Sequence, residues 1–226
     1  MKKQQKDTKD KVRILIVDDH PIMRQGLAQL INQDMKLAVC GEAEDANQAL
    51  DIIHDTNPQM VIVDISLKGP SGIELIKNIK VRYPSLPVLV LSMHDESLYA
   101  ERAFRAGARG YIMKEEGTEK VMMAIHQILG GALYMSNKIG SKLLHKFFDT
   151  RIAKSDSPIE FLSDRELEVF RLLGRGLGTR KVAEELNLSI KTIETYRAHI
   201  KNKLKLKNAS ELIQNAVQWV QSENLT

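Results

Sequence analysis

Five polar side chains in the first half of the chain have types and positions suited to phosphoryl transfer: Asp18, Asp19, Asp64, Ser92 and Lys114. Each follows a short apolar run. Val12–Val17 delivers Asp18 and Asp19, Met60–Val63 delivers Asp64, Pro87–Leu91 delivers Ser92, and Gly110–Met113 delivers Lys114. Three carboxylates held together repel one another, so at neutral pH they must share protons or bind a cation. Hard oxygen ligands favour Mg2+, which keeps waters and accepts phosphate oxygens as its remaining ligands. A lysine opposite the metal adds a second positive charge for a phosphoryl group, and a serine hydroxyl can donate to one of its oxygens. The set suits in-line transfer to a carboxylate nucleophile. Asp64 is the candidate nucleophile.

The elements that must position these groups follow from periodicity. Short apolar runs at 12–17, 37–43, 61–66, 87–92 and 110–114 read as buried parallel strands. Helices are expected between them: from Pro21 through Ile31, from Asp45 through Ile53 with Gln48 completing a capping box, from Gly72 to Tyr83, and from Leu98 to Ala106 before Gly107. Thr118 is expected to cap a last helix ending at Gly130 and Gly131. Alternation of this kind implies right-handed crossovers and a doubly wound, five-stranded parallel α/β sheet with its site at the carboxyl ends of the strands. A plainer role for Asp64, capping the next helix, is disfavoured because that helix begins near Gly72.

Composition bounds the class. The 226 residues allow two domains, and a hydrophobic fraction of 43% excludes disorder for most of the chain. No apolar run approaches the roughly 20 residues that span a bilayer, so no membrane role is expected. Residues 1–11 carry no apolar segment and read as a frayed tail rather than a secretory signal. The single cysteine, Cys40, reads as a core residue and fits a reducing cytoplasm. Charge is uneven: residues 12–132 hold 12 Lys/Arg against 16 Asp/Glu, net −4, whereas 180–207 hold 8 against 3, net +5. That asymmetry predicts a polyanionic partner for the second half.

Asp18-Asp19, Asp64, Ser92 and Lys114, with Tyr111 three places before the lysine, resemble the receiver domain of two-component response regulators over residues 12–131. The resemblance implies a flavodoxin-like fold, Asp64 as phosphoacceptor, Asp19 and Asp64 with the backbone carbonyl of Ser66 as Mg2+ ligands, and Asp18 acting through a metal-bound water. It implies that Ser92 and Lys114 contact the phosphoryl group and that Tyr111 turns inward when Ser92 moves. A sensor histidine kinase would be the donor, and the chain would be no enzyme beyond slow self-phosphorylation and autodephosphorylation. Two departures stand out: Lys68 where receivers commonly have proline, with Pro70 two places later, and Met93-His94 beside Ser92.

The segment 132–160 reads as a linker, with one helix over 136–148 and a polar stretch at 151–158 that predicts domain motion. From residue 161 onward an all-α pattern follows. Ser163 and Glu166 form a capping box, Arg180 to Leu186 is a short helix closed by Asn187, Ser189 caps a longer helix, and Ala209 to Val220 is the last. Two helices joined tightly, the second basic on its exposed face, describe a helix-turn-helix. Candidate contacts to duplex DNA are Arg180, Lys181, Lys191, Thr192, Glu194, Thr195, Arg197, Ala198 and Lys201. Basic residues there would hold phosphates, while Glu194, Thr195 and Ala198 would meet base edges. Leu162-Ser163-x-Arg165-Glu166, Val182-Ala183 and Thr192-Ile193-Glu194-Thr195-Tyr196 resemble the LuxR-type DNA-binding domain, with Glu194 and Tyr196 departing from its usual lysine and histidine. The whole chain thus resembles the NarL/FixJ class. The class implies a homodimer on DNA through Ile213, Ala216, Val217 and Val220, a receiver that often masks the DNA-binding helix when unphosphorylated, and leaves RNA polymerase open as a further partner. Two other readings compete: an adaptor whose helical domain binds protein, and an aspartyl-phosphate phosphatase, which would need a second acid and a cap domain.

Overall fold

The computed structural model describes residues 11–94, 96–148 and 158–223. The expected tail therefore lies outside the described residues except for Lys11, as does the polar stretch 151–158 except for Pro158. The chain divides into two compact units, Met1–Gly140 and Ser141–Thr226.

In the first unit, five strands form one parallel sheet in the order β2-β1-β3-β4-β5: β1 Val12–Val17, β2 Leu37–Ala43, β3 Met60–Val63, β4 Val88–Ser92 and β5 Gly110–Met113. Five helices alternate with them: α1 Pro21–Gln33, α2 Ala46–Thr56, α3 Gly72–Arg82, α4 Glu96–Ala106 and α5 Thr118–Leu129. Ile14, Ile16, Ile62, Leu89 and Ile112 from the strands pack with Leu27, Ile31, Val121 and Ile125 from α1 and α5. Because helices cover both faces, the strands are apolar without alternation, and every residue of β3 and β4 is buried. The β1–β2 register shifts between Ile14 and Leu15, leaving Cys40 opposite no partner.

Local chemistry sets the helix boundaries. Pro21 opens α1, Asp45 accepts N–H bonds from Asn47 and Gln48 at the start of α2, and Ser71 accepts from the Glu74 N–H at the start of α3. Ser71, not Asp64, therefore caps α3. Two expectations are corrected. α4 begins at Glu96, two residues earlier than read from the apolar spacing, and Thr118 is the first residue of α5 rather than its cap. The cap position belongs to Gly117, whose extended backbone (φ −62°, ψ 153°) precedes the first helical turn.

α6, Asn137–Phe148, is the helix expected within 132–160. In the second unit a short 3₁₀ turn at Pro158–Phe161 precedes α7 Asp164–Gly174, α8 Thr179–Glu185, α9 Ile190–Lys203 and α10 Ala209–Glu223. Its core joins Leu167, Phe170 and Leu173 of α7 with Val182, Ile193, Ile200, Leu212 and Ala216. A side chain at Gly174 would stand 2.4 Å from the Ala216 carbonyl oxygen, so α7 and α10 meet at backbone distance. Phe170 packs against Trp219 with ring centroids 5.5 Å apart. No helix among the described residues is long and apolar enough to cross a membrane.

Candidate functional site

Strand register decides which side chains meet. Val17 stands beside Val63, and the Asp64 N–H donates to the Val17 carbonyl at 2.8 Å, so Asp18 and Asp64 leave adjacent strand ends together. β1 and β3 flank the point where the strand order reverses, the usual place for a ligand crevice in such sheets. Ser92 pairs with Met113, and the Lys114 N–H donates to the Ser92 carbonyl at 2.8 Å, which brings the fourth and fifth strands to the same edge.

Lys114 Nζ lies 2.6 Å from Asp18 Oδ2 and 2.7 Å from Asp64 Oδ2, with all three side chains buried. Burial alone would disfavour the ammonium, but Asp64 and Asp18 outweigh it and hold Lys114 protonated above the ordinary lysine range. Burial pushes the Asp64 carboxyl up, only partly offset by Lys114, while the charge of Asp18 adds to the rise. One lysine thus faces two carboxylates, Asp18 and Asp64, with a third, Asp19, in the same cluster. Asp19 Oδ1 is buried and lacks a hydrogen bond, although His20 Nδ1 lies 2.7 Å away. Asp18, Asp19, His20 and Asp64 each offer a ligand atom within 4.8 Å of the others. Excess negative charge and an unbonded carboxylate oxygen on one small cluster fit a hard divalent cation.

The loop after β3 is built around the backbone of Asp64. A Cβ on Gly72 would lie 2.1 Å from the Asp64 carbonyl oxygen and 2.7 Å from Ile65 Cα, so only glycine lets α3 start this close to the site. Lys68, where receivers commonly have proline, forms an isolated bridge with Asp45, and Gly69 supplies the turn at φ 77°. Ser66, two residues past Asp64, donates its N–H to Asp64 Oδ1 at 3.2 Å.

Ser92 is fully buried, and its Oγ accepts from the His94 N–H at 3.2 Å. Tyr111 is turned inward, its hydroxyl donating to the His94 carbonyl at 2.8 Å. His94 makes a connection that spacing along the sequence does not show. Its Nε2 lies 2.7 Å from Ser66 Oγ, and its ring stacks on Tyr99 of α4 at 4.5 Å between centroids. The available signal was position: like Ser92, it is a polar residue at the carboxyl end of β4.

In the second unit α8 and α9 are joined through Asn187, left-handed at φ 52°, and Ser189, which caps α9 by accepting the Thr192 N–H. Arg180 and Lys181 are exposed on α8, and Lys191, Glu194, Thr195 and Ala198 share one exposed face of α9, with Lys201 half-buried a turn later. Thr192 and Arg197 are engaged inside the domain: the Thr192 hydroxyl meets Ser189 Oγ at 2.8 Å, and Arg197 Nη1 donates to the Thr179 hydroxyl and, at 3.4 Å, to Glu194.

The expected dimer contacts need a correction. Ala216 is fully buried because it lies with Leu212 on the face of α10 that packs on α7, and Val220 is half-buried over Gly174. Ala216 is therefore unavailable to a second chain. Ile213 and Val217, one position around the helix, are half-buried.

An ion pair between an exposed lysine and a buried carboxylate joins two helices of this unit. Glu166 completes the capping box with Ser163, and Lys203 Nζ of α9 lies 2.6 Å from its Oε2. Burial opposes ionisation of Glu166 most strongly, yet Lys203 and the Ser163 N–H together hold its carboxyl below the ordinary range. A carboxyl depressed in the fold stabilises above its unfolded pKa, about 4.3, and loses that contribution as pH falls through the folded value. Glu166→Gln should therefore cost about 2 kcal/mol at pH 7, the scale of a charge-assisted hydrogen bond. Urea unfolding at pH 7 and again near pH 3 checks this: the gap between variant and parent should close in acid.

Comparison with known proteins agrees with both units. The family described as response regulator receiver domain matches residues 14–126, and bacterial regulatory proteins of the luxR family match residues 160–216. The oxygen regulatory protein NreC of Staphylococcus epidermidis is 31% identical over 211 residues, covering 91% of this chain and 97% of that protein. NreC of Staphylococcus aureus is 32% identical over 210 residues with the same coverage. Among solved structures, RcsB of Salmonella typhimurium is 28% identical, with a TM-score of 0.68 over 92% of this chain and 98% of that one. RcsB of Salmonella enterica serovar Typhimurium, bound to promoter rprA in the presence of phosphomimetic BeF3−, matches with a TM-score of 0.64 at 28% identity, over 90% of this chain and 97% of that one. With a receiver-type sheet carrying an acidic crevice and a LuxR-type helix-turn-helix behind it, this chain belongs to the NarL/FixJ class of two-component response regulators, phosphorylation-dependent regulators of transcription.

Proposed function

We propose that a sensor histidine kinase phosphorylates this chain on Asp64 and that the phosphoryl group strengthens dimeric binding to duplex DNA. The observation that carries this reading is the buried position of Asp64, centred at the strand ends between Asp18 and Lys114. Asp19, Asp64 and the Ser66 carbonyl would hold Mg2+ directly, with Asp18 acting through water. When bound, Mg2+ supplies positive charge for the phosphoryl oxygens.

The chain's own groups do the rest. An Asp64 carboxylate oxygen bonds to phosphorus as the donor's nitrogen–phosphorus bond breaks, and the electron pair leaves with the donor imidazole. Lys114 is already held protonated at Asp64 and can turn to a phosphoryl oxygen, since both groups need a counter-charge. Ser92 can exchange its bond from the His94 N–H for a donation to the phosphoryl group. Tyr111, already inward, would hold the rearranged loop, and the new charge would enlarge a minor active population rather than create it.

The roles extend along the chain. Residues 12–131 would be the receiver, 132–160 the joining segment, and 161–226 the DNA-binding domain, in a cytoplasmic protein. Arg180, Lys181, Lys191 and Lys201 would hold phosphates, and Glu194, Thr195 and Ala198 would face bases, with Thr192 and Arg197 positioning the recognition helix α9. Ile213, Val217 and the exposed part of Val220 would contribute to the dimer. RNA polymerase is a natural further partner for a regulator of this class. Turnover by the chain itself would be limited to slow self-phosphorylation from small donors and slow hydrolysis.

Acetyl phosphate with Mg2+, followed by intact-mass measurement and peptide mapping, tests the assignment. The parent should gain one phosphoryl group on the peptide holding Asp64, and Asp64→Ala should gain none. Uptake on another residue, or steady release of phosphate from small esters, would overturn it.

A further inference from the structure

We propose that the segment leaving the first unit is a latch through which α4 controls the start of α6. The control by phosphorylation rests on Asp64 being the acceptor, whereas the latch itself does not. After Gly131, left-handed at φ +90°, the chain turns back and runs parallel to β5 along its outer edge. The Tyr111 N–H donates to the Tyr134 carbonyl at 3.1 Å, and the Tyr134 N–H donates to the Arg109 carbonyl at 3.0 Å. Gln127 Nε2 anchors the turn by donating to the Leu133 carbonyl at 2.6 Å. Tyr111, whose hydroxyl is held by His94, is thus tied through its own backbone to the outgoing segment.

Two residues beyond Tyr134, one hydroxyl joins two helices. Ser136 Oγ donates to Glu96 Oε1 at 2.9 Å and accepts the Ile139 N–H at 3.2 Å. Glu96 is the first residue of α4, and Ile139, in the first turn of α6, is buried. A serine hydroxyl has a single proton to give, and here Glu96 takes it. A shift of α4 by about 1 Å would stretch a 2.9 Å contact beyond hydrogen-bonding range and leave that proton without its acceptor.

The site reaches α4 by two routes. His94 precedes Glu96 by two residues and bonds Ser66, and its ring stacks on Tyr99 one turn into the helix. A change at the Ser66 or Ser92 loops therefore moves the first turn of α4, and with it the acceptor that Ser136 needs. The element with two arrangements is the latch, bonded or released, and the segment it holds leads directly into α6.

Hydrogen exchange on the full-length chain tests both parts. Without phosphorylation, Glu96→Ala should raise exchange at the Ile139 and Gly140 amides roughly fivefold, because the first turn of α6 loses an anchor, while Glu96→Gln, which keeps an acceptor oxygen, should stay near the parent. Equal exchange in parent and Glu96→Ala would overturn the latch. Fluoroberyllate with Mg2+ should then change exchange at these amides in the parent and not in Glu96→Ala, with 19F NMR reporting occupancy. Full occupancy with the same response in all three proteins would overturn control by α4. Lack of occupancy in the parent would instead count against Asp64 as acceptor and against phosphorylation control, leaving the latch judged by the unphosphorylated comparison.

Discussion

Lys114→Met should lose about 3 kcal/mol of stability at pH 7 in the presence of a chelator, a loss set by the two buried carboxylates it leaves without a counter-charge. Lys114 Nζ is within 2.7 Å of both Asp18 and Asp64, and all three side chains are buried, so solvent cannot take over its role. Two dependences separate this from an ordinary packing defect. Asp64 is already pushed up by burial, and without the lysine it is pushed further. A carboxyl raised in the fold contributes stability that is present below its unfolded pKa and lost as pH rises through the folded value. The deficit of the variant should therefore shrink as pH falls from 7 toward about 4. Mg2+ at a hundred times its dissociation constant should return about 2.7 kcal/mol, because binding to the folded state alone stabilises by that amount. Thermal or urea unfolding with and without Mg2+ decides the matter: a deficit that does not shrink in acid, in a variant that Mg2+ does not stabilise over its chelated form, would mean that the lysine does not balance this charge.

The sequence foretold most of the site because the parallel sheet turns position along the chain into position in space. Each apolar run ends where helix-covered strands end, so Asp18, Asp64, Ser92 and Lys114 could be placed at one edge without knowing a single distance. What stayed hidden depends on contacts between residues far apart. Ser136 and Glu96 are 40 residues apart, and no spacing rule links them. His94 read as a neighbour of Ser92, yet the side chain reaches across to Ser66 and Tyr99. On α10 the apolar positions were legible but not their allocation: Ala216 faces α7 because Gly174 allows the two backbones to close, and a one-helix reading cannot see the partner helix. Arg197 read as a phosphate contact from its charge, whereas Thr179 and Glu194 hold it in place.

Phosphorylation should raise affinity for target DNA by at least about tenfold, within the usual range of coupling between two sites, and Asp64→Ala should abolish the gain while leaving basal binding intact. The first unit is net −4 over residues 12–132 and carries the acceptor, while residues 180–207 are net +5 and carry the exposed face of α9. Removing Asp64 touches none of the groups that would meet phosphates, so binding in the resting state has no reason to fall. The salt dependence should persist in both proteins, with log affinity falling by about 0.9 per phosphate contact for each unit of log salt, because counterions are released whatever the state of Asp64.

The most direct measurement is the affinity of the full-length protein for a duplex selected from a genomic library, with and without acetyl phosphate and Mg2+, in the parent and in Asp64→Ala at two salt concentrations. A salt-sensitive gain in the parent alone is the predicted result. Equal affinity in both proteins, treated or untreated, would contradict control of DNA binding from Asp64.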